Sequence, residues 1–273
     1  LENAGLADMA QSFQNRSAAA EYYVITKELG GSTDAELAAA IASVTSDAAT
    51  LTAAKTAADS DAVAPVVVPG QSFTLTTGAD TKTGGAGNDN YVALNTTLTT
   101  GDVLDGGEGS DSLTLTTTLV AAGVSVVGFS TSSIETAYIG IIDGSATDDE
   151  VLTVDMLNSS PASIVVSGST ATAAADGLTL ANVDSGTTVT MSATANLDLT
   201  VNYDGSYLAG AGDTATLNMT GVTATVAADT DITFGAGIET LTINSTATAS
   251  KIGDLVWGGA GLTVTGDANL TIS

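Results

Sequence analysis

The chain has 273 residues, and its 31 acidic side chains against 5 basic ones give a formal net charge of −26. This acidic balance argues strongly against nucleic acid as a partner, because nucleic acid binds basic surfaces. It also argues against anionic membrane surfaces and membrane insertion, unless calcium bridges protein and lipid. Histidine and cysteine are both absent, which excludes Cys–His zinc sites, thiol nucleophiles and Ser–His–Asp triads. We expect divalent cations as counterions.

Residues 1–61 are rich in alanine and poor in glycine, which predicts an α-helical region. Gly30 and Gly31 are expected to end a first helix. A capping box from Thr33 to Glu36 is expected to begin a second. Each helix has an apolar face, formed by Leu6, Met9 and Phe13 in the first and by Leu37, Ile41, Val44, Ala48 and Leu51 in the second. The region is either a plain helical bundle fragment or part of an anchoring domain.

Residues 62–72 contain Pro65 and Pro69 and predict a linker. From 73 to 273 apolar residues alternate with Thr or Ser in short runs, the period of strands with one buried face. The fold is therefore predicted to be mainly β. The similar segments 134–139 and 238–243 favour a β-roll or β-solenoid, in which each coil packs on the next. A β-sandwich remains the alternative, because strand spacing alone does not separate the two.

Two segments, 84–92 and 106–114, match the nonapeptide pattern G-G-x-G-x-D-x-U-x, with U apolar, at every fixed position. Reading the nine-residue frame backwards makes 75–83 and 97–105 degenerate repeats, each preceding a complete one. We expect each complete repeat to stack on the degenerate repeat before it, with a metal ion between the turns.

Glycine allows such turns to curl tightly and to point backbone carbonyl groups inward. Calcium prefers six to eight hard oxygen ligands, which carbonyls and carboxylates of stacked turns can supply. Zinc lacks its usual ligands here, and magnesium demands a stricter octahedral geometry. The predicted cofactor is therefore Ca²⁺, and the alternative is glycine turns without a metal. The predicted metal site comprises Asp80, Gly85, Gly87, Asp89, Asp102, Asp105, Gly107, Gly109 and Asp111.

Two other acidic turns are weaker candidates for calcium. One combines Asp143 with residues 148–150, and the other combines Asp204 with residues 210–213. Each is equally well explained as a solvated turn, because Asp is common in turns.

Residues 73–273 resemble a known family in the two nonapeptides, the run TTGDVLDGGEGSDSLTLT, the strand IETLTI and the segment GLTVTGDANLTIS. These features look like repeats-in-toxin (RTX), type I-secreted surface-layer proteins of Gram-negative bacteria. The resemblance implies export to the cell surface, a β-solenoid folded by calcium, and self-association into a two-dimensional lattice. It also implies anchoring to cell-surface polysaccharide through a helical amino-terminal region. The sequence begins at Leu1 and ends in strand-like residues, so we expect it to be a piece of a longer polypeptide.

The leading hypothesis is a secreted, extracellular structural subunit of a surface layer (S-layer), without enzyme activity. A calcium-dependent adhesin or carbohydrate-binding module is the alternative, and exposed clustering of Tyr203, Tyr207 and Trp257 would favour it. A glycosidase is a third hypothesis, because paired carboxylates are plentiful. The β-region has no His or Arg to assist them.

Overall fold

The computed structural model describes residues 2–23, 38–39, 41–60, 68–119, 123–144, 150–171, 176–208, 210, 212–224 and 230–273. The chain divides into two compact units, Leu1–Val67 and Val68–Ser273. Among the described residues, the first unit contains two longer helices and short helical segments at 38–39 and 41–42, and the strands lie in the second unit. None of the helices in these described ranges is long and apolar enough to cross a membrane.

The two longer helices of the first unit are α1 (Glu2–Glu21) and α2 (Ala48–Ser60). The predicted apolar stripe of the second helix is wrong at its centre, because the chain leaves the helical conformation at 43–47. Val44 is buried in this break rather than on a helix face. The Asn15 amide and the Arg16 guanidinium of α1 donate hydrogen bonds to backbone carbonyls of the break. The predicted helix stop and capping box lie outside the described residues.

The break ends at an N-cap. The Asp47 Oδ1 atom accepts the Ala49 N–H at 2.9 Å, and the Asp47 carbonyl accepts the Thr50 N–H at 3.1 Å. An oxygen of a short side chain just before the first turn accepts hydrogen bonds from backbone N–H groups that have no partner within the helix. The sequence Thr45-Ser-Asp47 therefore stops one helix and starts another, which the uninterrupted apolar spacing concealed.

We expect Asp47→Ala to destabilise α2 by about 1 kcal/mol, because the cap is lost. Hydrogen exchange of the first-turn amides of α2, measured in the whole chain, should accelerate accordingly. Asp47→Asn keeps the capping oxygen and should exchange like the parent chain. Equal acceleration in both variants would show that the charge of Asp47, rather than its cap, matters.

The second unit consists of short strands connected by turns. In chain order they are β1 (Ser72–Thr74), β2 (Thr81–Thr83), β3 (Asn90–Ala93), β4 (Val103–Asp105), β5 (Ser112–Leu119), β6 (Val124–Val126), β7 (Ser130–Ser132), β8 (Thr136–Asp143), β9 (Val151–Asp155), β10 (Ser163–Ser167), β11 (Gly177–Val183), β12 (Thr188–Ser192), β13 (Asp198–Tyr203), β14 (Thr214–Thr220), β15 (Ile232–Phe234), β16 (Thr240–Ser245), β17 (Ser250–Ile252), β18 (Leu255–Val256), β19 (Gly261–Thr265) and β20 (Leu270–Ile272).

These strands form a parallel β-solenoid of about 7 turns. Every strand pair found in the described residues is parallel. The largest sheet has nine strands in the order β1-β3-β5-β8-β10-β12-β14-β16-β19, and a six-stranded sheet has the order β18-β15-β13-β11-β9-β6. Parallel neighbours one coil apart confirm the predicted mainly β solenoid and exclude the sandwich, whose sheets are antiparallel.

Alternation along each strand explains why the coils stack. In β5 the side chains of Leu113 and Leu115 are buried, while Thr114 between them is only partly buried. The same alternation recurs in β10, β12, β14 and β16. Each coil leaves an apolar inner face that only its neighbours can cover, so burial makes the stack cooperative.

Coil length changes along the solenoid. The first register pairs Ser72 with Asn90, and a contact across this coil spans 18 residues, which is two nonapeptides. The next coil spans 22 residues, and a later one spans 26. Two nine-residue segments therefore make up the first coil, with one turn at each edge of the solenoid, and the later coils contain additional residues.

Candidate metal centre

The two complete nonapeptide turns stack directly on each other. The Asp89 N–H donates to Asp111 Oδ1 at 2.6 Å, 22 residues further along the chain. The degenerate turns stack on each other in the same way, because the Asp80 N–H donates to Asp102 Oδ1 at 2.6 Å. The expectation that each complete repeat stacks on the degenerate repeat before it is therefore wrong. One coil contains both, at opposite edges.

Two glycines are required by this close stacking. A side chain on Gly106 would collide with the Ser133 carbonyl oxygen of the next coil. Gly107 has a φ of +87° and would place a side chain against the Gly85 carbonyl oxygen. A positive φ is strained for residues other than glycine, and a collision with backbone cannot be relieved by a rotamer change.

An acidic column runs across three coils and consists of Asp89, Asp111 and Glu135. Asp89 Oδ1 accepts the Gln71 N–H at 2.5 Å. Asp111 Oδ1 accepts the Asp89 N–H, and Glu135 Oε2 accepts the Asp111 N–H at 2.7 Å. Each carboxylate thus binds a backbone N–H of the preceding coil. Glu135 lies in no nonapeptide and was not predicted; the strand repeat 134–139 was its only signal in the sequence.

The two aspartates of the complete repeats differ in whether their Oδ2 atom has a hydrogen-bond partner. Asp89 Oδ2 accepts the Gly85 N–H at 2.6 Å. The equivalent Gly107 N–H instead lies 3.4 Å from Asp105 Oδ1. Asp111 Oδ2 is consequently buried without a hydrogen-bond partner, although Asp111 is only 1 % exposed. Leaving a carboxylate oxygen unsatisfied in the interior is costly.

The surroundings of Asp111 disfavour the ionised form of its carboxylate. Burial raises the pKa of Asp111, and the charges of Asp89, Glu135 and Asp105 raise it further against the Asp89 N–H. Burial and the charges of Asp89, Asp111 and Asp105 raise the pKa of Tyr91 to about 12. The Tyr91 hydroxyl donates a hydrogen bond to the Asp105 carbonyl oxygen. A cation placed here would relieve the repulsion, and the carboxylate and carbonyl oxygens present suit Ca²⁺.

Asp80 and Asp102 form a separate pair at the opposite edge of the solenoid. Their carboxylate oxygens have hydrogen-bond or ion-pair partners within the protein. Asp102 is fully buried, and its second oxygen accepts the Thr99 N–H at 2.7 Å. Asp80 Oδ2 accepts the Thr76 N–H, and Lys82 Nζ lies 3.2 Å from Asp80 Oδ1. The Thr76 N–H, with help from Lys82, holds the pKa of Asp80 below its ordinary value. The predicted site therefore divides between two edges.

A third acidic group lies beyond the nonapeptides. The carboxylates of Asp143, Glu150 and Asp176 lie within 4.8 Å of one another and could hold a metal ion. Glu150 and Asp176 are buried, and the Glu150 N–H donates to Asp176 Oδ1 at 2.9 Å. Asp143 and Glu150 belong to a predicted acidic turn, of which 148–149 lie outside the described residues. Asp176 was missed, because it comes from the next coil.

The other weak candidate does not form a single turn site. Asp204 accepts the Ser206 N–H at 2.7 Å and so caps its own turn. Asp213 instead donates its N–H to Glu239 Oε2 of the next coil at 2.8 Å. Residues 209 and 211 of this segment lie outside the described residues.

The aromatic side chains form no exposed cluster among Tyr203, Tyr207 and Trp257. Tyr203 is buried and Trp257 packs against the apolar core, whereas Tyr207 is exposed. Burial also raises the pKa of Tyr203 to about 12. These positions therefore do not favour a stacking platform for sugars. No protein-family model, curated protein or solved structure matches the chain.

Proposed function

We propose that this chain is a secreted structural subunit of a bacterial surface layer whose solenoid is ordered by Ca²⁺. The buried Asp111 oxygen without a hydrogen-bond partner carries the proposal. It lies between stacked glycine turns where carboxylates are crowded, and the ion pairs of the described residues give it no basic partner. A divalent cation would satisfy the oxygen and offset the crowding.

Asp89, Asp111 and Asp105 would hold the ion, together with backbone oxygens of the turns 84–89 and 106–111. The ion supplies charge neutralisation and cross-links adjacent coils. Since ligands from two coils come together only in the folded chain, binding is coupled to folding. The glycines of the predicted site shape the turns and allow their close approach.

Secretion and surface assembly are supported by charge and by the helical unit. A chain of net charge −26 repels itself until cations bind, and extracellular calcium modules bind at about 0.1–1 mM. In α1 the side chains of Leu6, Met9 and Phe13 are at least 65 % exposed and form one apolar stripe. Such a stripe supports a role in self-association or in anchoring to the cell surface.

We expect Asp111→Asn to reduce the number of calcium ions bound per chain, measured by equilibrium dialysis. Asp102→Asn is the matched control at the other edge. It should keep the number of calcium ions bound per chain. It should lower the free energy of unfolding by about 1–3 kcal/mol, because the NH₂ group of the asparagine would face a buried backbone N–H that needs an acceptor. The assignment fails if Asp111→Asn binds as much calcium as the parent chain. A loss in Asp102→Asn would restore the opposite edge as a metal site.

Assembly tests the surface-layer role independently of binding. Addition of about 10 mM Ca²⁺, well above the affinity of extracellular modules, should convert single chains into large ordered sheets. Light scattering and electron microscopy of negatively stained samples would detect them, with Mg²⁺ as the ionic control. Chains that bind calcium fully yet remain single would contradict this role.

A further inference from the structure

The contact between Asp111 and Glu135 is a defined backbone arrangement, which we term an Asp–Glu step. The Asp111 N–H donates to Glu135 Oε2 at 2.7 Å. In return, the Asp111 carbonyl oxygen accepts the N–H groups of Glu135 and Thr136, each at 3.2 Å. Ile134, just before the glutamate, is buried. The step thus locks two coils together through one aspartate and the segment Ile-Glu-Thr.

A second Asp–Glu step occurs four coils further along. The Asp213 N–H donates to Glu239 Oε2 at 2.8 Å, and the Asp213 carbonyl accepts the N–H groups of Glu239 and Thr240 at 3.0 and 3.1 Å. Ile238 is buried like its counterpart. All three hydrogen bonds are therefore reproduced, although no glycine-rich nonapeptide precedes Asp213.

Both steps leave the same atom unsatisfied. The Oδ2 atoms of Asp111 and Asp213 are buried and have no hydrogen-bond partner. As whole residues, Asp111 is 1 % exposed and Asp213 is partly buried. In each step the glutamate of the adjoining coil supplies a second carboxylate, which is held beside the aspartate by the hydrogen bond between its Oε2 atom and the aspartate N–H. Neither has a basic partner among the ion pairs of the described residues.

We propose that each Asp–Glu step holds a divalent cation, so that the second step is a metal site that no nonapeptide marks. The choice of Ca²⁺ rests on the proposed function, whereas the location rests on the repeated geometry. Asp Oδ2 and the glutamate carboxylate would supply hard oxygen ligands, and the cation would satisfy the buried oxygen. At the first step this is the ion already proposed at Asp111, with Glu135 as a further ligand. Calcium order would then extend from the nonapeptides to the far coils.

The only tryptophan of the chain allows the second step to be observed alone. A Cβ atom added to Gly259 would lie within 2.5 Å of both Trp257 Nε1 and the Glu239 carbonyl oxygen, so the indole and Glu239 are close neighbours. Excitation of Trp257 should therefore sensitise the luminescence of Tb³⁺, a calcium substitute, bound at Asp213 and Glu239. We expect such emission in the parent chain and its loss when Ca²⁺ is added in excess.

Two variants test the ligands. Asp213→Asn and Glu239→Gln should each weaken the tryptophan-sensitised Tb³⁺ binding by about tenfold or more, because a ligating charge is lost. Glu239→Gln keeps an oxygen that can accept the Asp213 N–H, and far-UV circular dichroism would confirm its fold. Glu21→Gln removes an exposed charge of the same type outside the solenoid and should leave the emission unchanged.

The site is overturned if the parent chain gives no tryptophan-sensitised emission. It is equally overturned if both ligand variants bind Tb³⁺ like the parent chain, or if Glu21→Gln loses the signal too. Glu135→Gln should lower the calcium number by one through the first step, and an unchanged number contradicts that half of the proposal. In Asp111→Asn, a calcium dependence of folding equal to that of the parent chain would overturn the proposed function. Tryptophan-sensitised emission that persists in the same variant would still support the second site.

Discussion

Removal of calcium by a chelator is expected to abolish protection from hydrogen exchange in residues 75–119. If each ion binds with a dissociation constant of about 0.1–1 mM, about 10 mM Ca²⁺ stabilises the fold by about 1.4–2.7 kcal/mol per ion. The metal-free coils also retain repulsion among Asp89, Asp111 and Glu135. Because total stability is only about 5–15 kcal/mol, the loss of several ions is large.

The loss should be graded along the chain, since each coil of a solenoid contacts only its neighbours. In the six-stranded sheet, Asp198 Oδ1 accepts the Asp231 N–H, and Asp231 Oδ1 accepts the Asp254 N–H. These contacts need no ion, so the far coils should keep more protection than residues 75–119. Mg²⁺ at the same concentration should not restore protection. Unchanged exchange in 75–119 after complete chelation would contradict the calcium assignment.

Gly107→Ala is expected to lower the free energy of unfolding by about 3 kcal/mol or more. A left-handed backbone costs a residue with a side chain about 1–2 kcal/mol, and the new Cβ would also collide with the Gly85 carbonyl oxygen of the preceding coil. The two coils must separate to admit it, which disrupts the acidic column as well. Denaturant unfolding with and without calcium would measure the effect.

Gly85→Ala is the matched control, because both glycines hold the second position of a complete nonapeptide. Gly85 has no positive φ, and the nearest atom to an added Cβ, Gln71 Nε2, lies at an ordinary 3.4 Å. We expect a change within about 1 kcal/mol, of either sign, because alanine also restricts the unfolded chain. Equal destabilisation by both substitutions would show that the motif position, rather than the stacked backbone, determines the cost.

The strand pattern could be predicted from local sequence because its cause is local. Successive side chains of a strand point to opposite faces, so the alternation of Leu113 and Leu115 with threonines indicates both strand and buried face. The run 112–118 accordingly corresponds to β5 (Ser112–Leu119). The break at 43–47 escaped prediction, because the helical apolar spacing continues through it and only the Asp47 cap interrupts the helix.

The candidate site was predicted only in part. The glycines and aspartates of 84–89 and 106–111 were recognised, because turn chemistry lies within nine residues. The partners of those turns depend on coil length, and the spacer 93–96 is what brings Asp111 over Asp89, 22 residues apart. Glu135 and Asp176 belong to neighbouring coils and lie outside the nonapeptides, so only the fold brings them to Asp111 and Glu150.

Sequence alone therefore determined the mainly β class, the inward and outward faces of the strands, and the glycine turns suited to calcium. These properties follow from periodicity and backbone conformation over a few residues. Only the tertiary structure decided which turns stack, which carboxylates share an edge, and which oxygen is left unsatisfied. Those contacts join residues about 20–30 positions apart, and in a solenoid their register is set by the stacking of whole coils.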